Sequence, residues 1–327
     1  MRSLLVLIVI TVAAPLVLLG CITDRPLSRG HPGQQKLPTD IETLFAYMPV
    51  PVYTEERPVN QKSNDIQFWQ ATFESEFSVP EKNPIRVEIW CYAKLSNKPL
   101  PAVVIPTILN TKTTLERYFA NYFARRGFAA FIINGKDDNT DLRSFNNFDE
   151  ALVKLVIEQR KALDYIVSLP EIDIKHIFLF GISMGGIKAT YLAAIDHRVA
   201  GSVIVLAGGN LPYLMTHSTE PGVKERLAQL MDANNMSVEE MEKHLRQTIQ
   251  QDPMRYAPYI DATNTFMVIG RRDTAVPFVV QEQLRAAIGY PQACYLPTGH
   301  LSSVICIPFI QGKAVRFFQE RVHRDGQ

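Results

Sequence analysis

The run His176-Ile177-Phe178-Leu179-Phe180-Gly181-Ile182-Ser183-Met184-Gly185-Gly186 constrains this chain more than any other stretch. It opens as a short continuous apolar segment, the pattern of a strand covered on both faces. It leads directly into a helical segment at 187–195. Between the two sits Gly-x-Ser-x-Gly, so the chain must reverse sharply at the serine. Such a turn holds a non-glycine residue in a strained conformation, at about 1–3 kcal/mol. Neighbouring backbone passes close by, which requires Gly181 and Gly185 to lack side chains. The glycines and serine alone are a weak signal; a strand before and a helix after give the motif its weight.

The same short apolar pattern recurs at 102–105, 128–133, 203–207, 266–269 and 293–296. Helical stretches lie between. Leu152, Leu155, Val156, Leu163, Ile166 and Val167 fall at helical spacing before Pro170 stops the helix. Thr113 and Glu116 read as a capping box, and Gly127 as the stop of the helix that follows. Strand–helix alternation of this kind predicts an α/β fold, with a mostly parallel central sheet, flanking helices and right-handed crossovers. Ile66–Phe77 and Ile85–Leu95 alternate as strands and predict an antiparallel hairpin at a sheet edge. About 55 residues, Gly208 to Thr263, separate two core strands; Ser237 and Glu240 form a second capping box there. That insertion is expected to be a small helical cap over the carboxyl edge of the sheet, with a peripheral insertion as the alternative. The 327 residues are 46% hydrophobic and 20% charged, which excludes a disordered chain. A net charge of +1 without a basic block gives no footprint for nucleic acid.

A serine hydroxyl is a poor nucleophile until a base takes its proton. Of seven histidines, His31 and His323 lie near the ends, and His176 and His197 fall far from the carboxyl edge. His217 and His244 lie in the insertion. His300, in the loop after 293–296, is left as the base. Asp273, in the loop after 266–269, is the carboxylate placed to orient it. Asp261, Asp137 and Asp138 compete for that role, and Arg271 or Arg272 could pair with Asp273 instead.

The order Ser183, Asp273, His300 resembles the α/β-hydrolase superfamily over roughly residues 65–325. Gly-Ile-Ser-Met-Gly-Gly, Gly-x-x-Asp-x-x-Val-Pro, Gly-His and the stretch Asp252–Pro258 look most like its dienelactone-hydrolase and acyl-peptidase branches. The resemblance implies a serine hydrolase that cleaves carboxylic esters through an acyl-enzyme, with no metal or organic cofactor. A serine peptidase or amidase is the alternative, and a non-catalytic envelope binding protein on the same scaffold is a second. The Met184 N–H is expected to be one oxyanion-hole donor. The other should come from Pro106-Thr107-Ile108-Leu109, where the family often has His-Gly. Proline has no N–H, so Ile108 is the candidate, with Thr107 and Leu109 behind it.

At the amino end, Arg2 precedes an uncharged run with an apolar stretch from Leu4 to Leu19, the pattern of a secretory signal. The ending Leu18-Leu19-Gly20-Cys21 resembles the lipobox of bacterial lipoproteins. The resemblance implies a signal peptide over 1–20, lipidation at Cys21, and a body held at a membrane outside the cytoplasm. A plain membrane-spanning anchor is the alternative. The proline-rich residues 21–60 are expected to be a tether and irregular segment, and 61–327 the hydrolase domain. The partners expected are a small acyl ester or short peptide, and the membrane. Cys91, Cys294 and Cys306 are expected to be buried thiols, with a Cys294–Cys306 bridge as the alternative.

Overall fold

The computed structural model describes residues 22–28, 34–49, 53–57, 66–75, 77, 86–94, 96–108, 113–136 and 148–324. Cys21, the signal segment, Leu109, Asp137 and Asp138 lie outside these, as does the turn expected at 78–84.

One sheet of ten strands runs through the molecule. Its strands are β1 (Thr23–Arg25), β2 (Thr54–Glu56), β3 (Ile66–Glu74), β4 (Arg86–Lys94), β5 (Leu100–Pro106), β6 (Ala129–Lys136), β7 (Ile172–Ile182), β8 (Val199–Val205), β9 (Thr265–Gly270) and β10 (Gln292–Leu296). The spatial order is β1-β10-β9-β8-β7-β5-β6-β4-β3-β2. From β6 to β10 across the sheet the strands are parallel. β4, β3 and β2 extend one side antiparallel, and β1 closes the other. The run at 176–180 and the five that repeat its pattern are the six parallel strands, because strands covered on both faces can be apolar throughout. β3 and β4 form the expected antiparallel pair, but β2 lies outside β3, so the pair is not the edge.

Helices cover both faces. On one lie α2 (Thr114–Ala124) and α10 (Ile307–Arg324). They pack Phe119, Phe123 and Phe318 against Phe178, Phe180 and Phe266. The other face carries α3 (Phe148–Ser168), α4 (Met184–Ile195) and α9 (Phe278–Ile288), with Val156, Tyr191 and Leu284 in its core. Ten of the twelve residues of α4 are buried. It is apolar nearly all round, as a central helix must be. α2 ends where Gly127 takes φ +87°, which glycine tolerates without a Cβ clash.

The insertion folds as α5 (Leu211–His217), α6 (Pro221–Asn234) and α7 (Val238–Thr248), followed by the single turn α8 (Pro253–Tyr256). Ser237 and Glu240 form both bonds of the capping box, and Met241, Leu245 and Ile249 are buried. The link between α5 and α6 touches the loop after β9. There the Thr219 N–H donates to the Thr274 carbonyl, and Ser218 Oγ to Ala275.

Two expectations need correction. The segment 21–60 is not a tether over its described residues. β1 joins one edge of the sheet and β2 the other, and α1 (Thr39–Leu44) lies between, with Ile41 and Phe45 fully buried. Thr113 and Glu116 also form no capping box. Thr113 makes no side-chain cap bond, and the Glu116 carboxylate turns to a different donor, described below.

Candidate active site

Ser183 directly follows β7 and caps α4 with φ 54° and ψ −122°. This is a conformation that L-residues adopt only when their surroundings impose it. Three backbone bonds hold it. The Ser183 N–H donates to Val205 O at 2.8 Å, and its carbonyl accepts from Gly186 and Ile187 N–H at 2.9 and 3.0 Å. A Cβ at Gly181 would collide with the Gly185 carbonyl, and one at Gly185 with the carbonyl of Pro106. The glycines are thus fixed by backbone crossing backbone, and the serine hydroxyl is left half-buried at the rim.

β9 and β10 end at the same rim. His300 Nε2 lies 3.1 Å from Ser183 Oγ, and Nδ1 lies 2.8 Å from Asp273 Oδ2. The Asp273 side chain is fully buried and that of His300 is 18% exposed. Asp273 is held by four donors in all. Ala275 and Val276 N–H reach Oδ1 at 3.0 and 2.9 Å, while Gln281 Nε2 joins the imidazole at Oδ2, at 3.1 Å. An acceptor so surrounded keeps Nδ1 as the protonated ring nitrogen and leaves Nε2 to receive the serine proton.

The loop carrying His300 is stapled by hydroxyls. Thr298 and Ser303 meet at 2.7 Å, and Gly299 N–H donates to Ser302 Oγ at 2.9 Å. Arg271 and Arg272 do not pair with Asp273. Their backbone N–H groups join the two loops by donating to Leu296 and Thr298, and the Arg271 guanidinium reaches Thr23. The competing groups have other roles. His176 pairs with Asp173 near the amino end of β7, His217 stacks on Tyr213 in α5, and Asp261 caps a turn through Thr263 N–H.

The expected oxyanion donors are less regular. Met184 is the first residue of α4, so its N–H has no acceptor within the helix and sits at the positive end of the dipole. The expected partner, Ile108, is engaged elsewhere: its N–H donates to Glu116 Oε1 at 2.9 Å. In this conformation that donor serves a carboxylate rather than an open site. The loop is also gripped from below, where Lys188 Nζ donates to the Thr107 carbonyl at 2.8 Å. Lys188 is fully buried on α4. Desolvation pulls its ammonium down to about 8, against the opposing pull of Glu116 and Glu158. Glu116 Oε2 and Thr107 Oγ1 are buried beside this contact without hydrogen-bond partners. A cavity of about 10 Å³ lined by Ile105, Pro106, Ile108 and Glu116 adjoins them, the size of a single water.

Gln281, Glu116 and Lys188 were invisible as site residues in the sequence. Gln281 lies in α9 with no motif around it. Glu116 reads as half of a capping box. Lys188 follows the elbow by five residues, where an amphipathic reading would place it in solvent. A larger surface hollow, about 460 Å³ and walled by Tyr47, Arg160 and Asp164, shares no residue with the Ser183 site.

The sheet order, the strained serine after β7 and the flanking helices define the α/β-hydrolase fold. No family model and no curated protein matches the chain. Among solved structures, acetyl xylan esterase from Paenibacillus sp. R4 superposes at TM-score 0.61 with 18% identity, over 88% of this chain and 99% of that one. Acetyl xylan esterase 1 from Thermoanaerobacterium sp. JW/SL YS485 does so at 0.63 with 14% identity, over 89% and 99%. Pyrococcus horikoshii acylaminoacyl peptidase matches at 0.58 with 12% identity, over 82% of this chain but 44% of that one. These likenesses are of fold; the enzymes themselves are esterases and peptidases.

Proposed function

We propose that this chain is a serine hydrolase that cleaves carboxylic esters through an acyl-enzyme, held at the cell envelope by its amino-terminal segment. The observation that carries the reading is the hydrogen-bonded line from Ser183 through His300 to Asp273, set on a backbone strained to present the hydroxyl. In this reading Ser183 Oγ attacks the acyl carbon as Nε2 of His300 takes its proton. The oxyanion forms against the Met184 N–H, and the loop donor completes the hole when Ile108 N–H leaves Glu116. His300 then protonates the departing alcohol, the acyl-enzyme forms, and water activated by His300 releases the acid. Asp273 holds the imidazole in its tautomer and stabilises the imidazolium. The two acetyl xylan esterases are each matched over 99% of their length, which favours esters over amides. Arg2, the apolar run to Leu19 and the Leu-Leu-Gly-Cys ending support a lipid anchor at Cys21.

A fluorophosphonate probe tests the mechanism. It should label Ser183 in the folded protein, and Ser183→Ala should lose labelling together with at least about 10⁴-fold in kcat on short acyl esters. Label on another residue, or undiminished turnover by the variant, removes the reading. A peptidase reading is favoured by partial matches such as that to acylaminoacyl peptidase, of which this chain covers 44%. Turnover of peptide anilides above that of acyl esters would establish it.

A further inference from the structure

β1 fixes where the body meets its own amino-terminal segment. Thr23 lies opposite Tyr295 and Arg25 opposite Ala293, antiparallel to β10. β10 in turn runs parallel to β9, with Leu296 opposite Gly270. The carboxyl ends of β9 and β10 lead to Asp273 and His300. An antiparallel neighbour therefore points its amino end at that same rim. Two side-chain contacts place it independently. Thr23 Oγ1 accepts from Arg271 Nη2 at 2.9 Å, two residues from Asp273. Asp24 pairs with Lys313 at 2.5 Å in the second turn of α10. Ile22 packs against the cluster that contains Leu296 and Cys306. Cys21 is two residues from Thr23, so at most about 7 Å of chain separates them. The apolar run Leu4–Leu19 precedes it at once.

The same rim presents apolar side chains to solvent. The 3₁₀ helix Leu301–Cys306 begins at the residue after His300. Three residues per turn put Ser303 and Cys306 on one buried face. The outward faces carry Leu301, 84% exposed, Val304, 59%, and Ile305, 55%. Phe278 and Val279, which follow the Asp273 loop, are exposed as well. These five are half of the ten large apolar side chains exposed among the described residues, so the apolar surface is concentrated at this rim rather than scattered. Exposed Arg271 and Arg272 stand beside them, and basic groups suit an anionic headgroup layer.

We propose that the catalytic rim faces the lipid surface, with Leu301, Val304 and Ile305 seated in the interface, so that the hydrolase takes amphiphilic esters whose acyl chain comes from the bilayer. The proposal rests on the membrane-anchored reading of residues 1–21 and adds to it an orientation and a substrate class. The anchor enters at the rim that holds the nucleophile, so bilayer and active site share one side of the molecule.

Tryptophan quenching in vesicles tests it with the full chain. Val304→Trp and Ile305→Trp are compared with Ile174→Trp, an exposed position near the amino end of β7 and so at the opposite rim. The vesicles are phosphatidylethanolamine with phosphatidylglycerol, the acyl chains brominated, and the parent supplies the Trp69 and Trp90 background. The expected result is quenching at 304 and 305 several-fold greater than at 174. Equal or greater quenching at 174, in protein that floats with the vesicles, overturns the orientation and leaves the anchor standing. Protein that does not float overturns the anchor and the orientation together.

Discussion

Lys188 carries its ammonium in a fully buried position on α4, so its protonation is coupled to folding stability. Its ammonium titrates at about 8 in the folded chain, against an ordinary 10.5, because burial disfavours the charged form. Between those values the unfolded chain binds one more proton than the folded chain. Stability therefore rises with pH across that window, by on the order of 3 kcal/mol from this group alone. Lys188→Met removes the titration and keeps the volume. Its unfolding free energy, from urea melts between pH 8 and 10.5, should rise less with pH than the parent's by about that amount. Parallel pH profiles would show that the ammonium is not desolvated. The same lysine holds the Thr107 carbonyl, so the loop expected to complete the oxyanion hole rests on a group that is costly to bury. This is a site where local stability has been given up, as functional sites often require.

At the scale of elements, the elbow is a packing problem between α4, β8 and the loop after β5. A Cβ at Gly186 would sit 2.6 Å from the Ala207 Cβ. Ala207 is 1% exposed and has no rotamer by which to yield. Glycine-to-alanine in a helix ordinarily gains up to about 1 kcal/mol. Overpacking a rigid core costs about 1–3 kcal/mol, so the clash wins. Gly186→Ala should lower the urea midpoint and, because Ser183, the proposed nucleophile, caps α4, lower kcat as well. A midpoint at or above the parent's would mean that α4 can shift freely. This geometry was legible in the sequence because steric necessity leaves few residue choices: Gly181, Gly185 and the apolar strand before them are nearly forced. The parallel strands were legible for a similar reason, since burial on both faces removes polar alternation. Glu116 was misread because its spacing from Thr113 fits a cap, while the donor it takes, Ile108 N–H, is brought to it only by the folded loop. β1 and β2 were missed because three exposed residues show no periodicity, and their pairing is decided by distant strands.

For the whole molecule, those short strands matter more than their length suggests. β1 and β2 occupy opposite edges of the sheet, and α1, between them in the chain, is anchored by buried Ile41 and Phe45. Edges left open invite pairing with other chains, and here each edge is a strand of only three residues, β1 and β2. The segment between the two strands is fastened in the middle: Phe45 is 1% exposed, meets Tyr256 edge-on at 5.6 Å, and its carbonyl accepts from Arg160 Nη1 at 2.7 Å. A tether would lose nothing if this contact were cut; a strap would loosen the fold. Phe45→Ala should therefore cost about 3–5 kcal/mol in urea unfolding, while the Ser183–His300–Asp273 geometry, built on other strands, stays assembled at low denaturant. The variant should thus keep fluorophosphonate labelling below its lowered midpoint and lose it in step with unfolding. A midpoint equal to the parent's would return the segment to the role of a spacer. In the anchored reading proposed above, a pull on residues 1–21 would act first on β1, and β1 is paired to β10, so the load would reach the sheet.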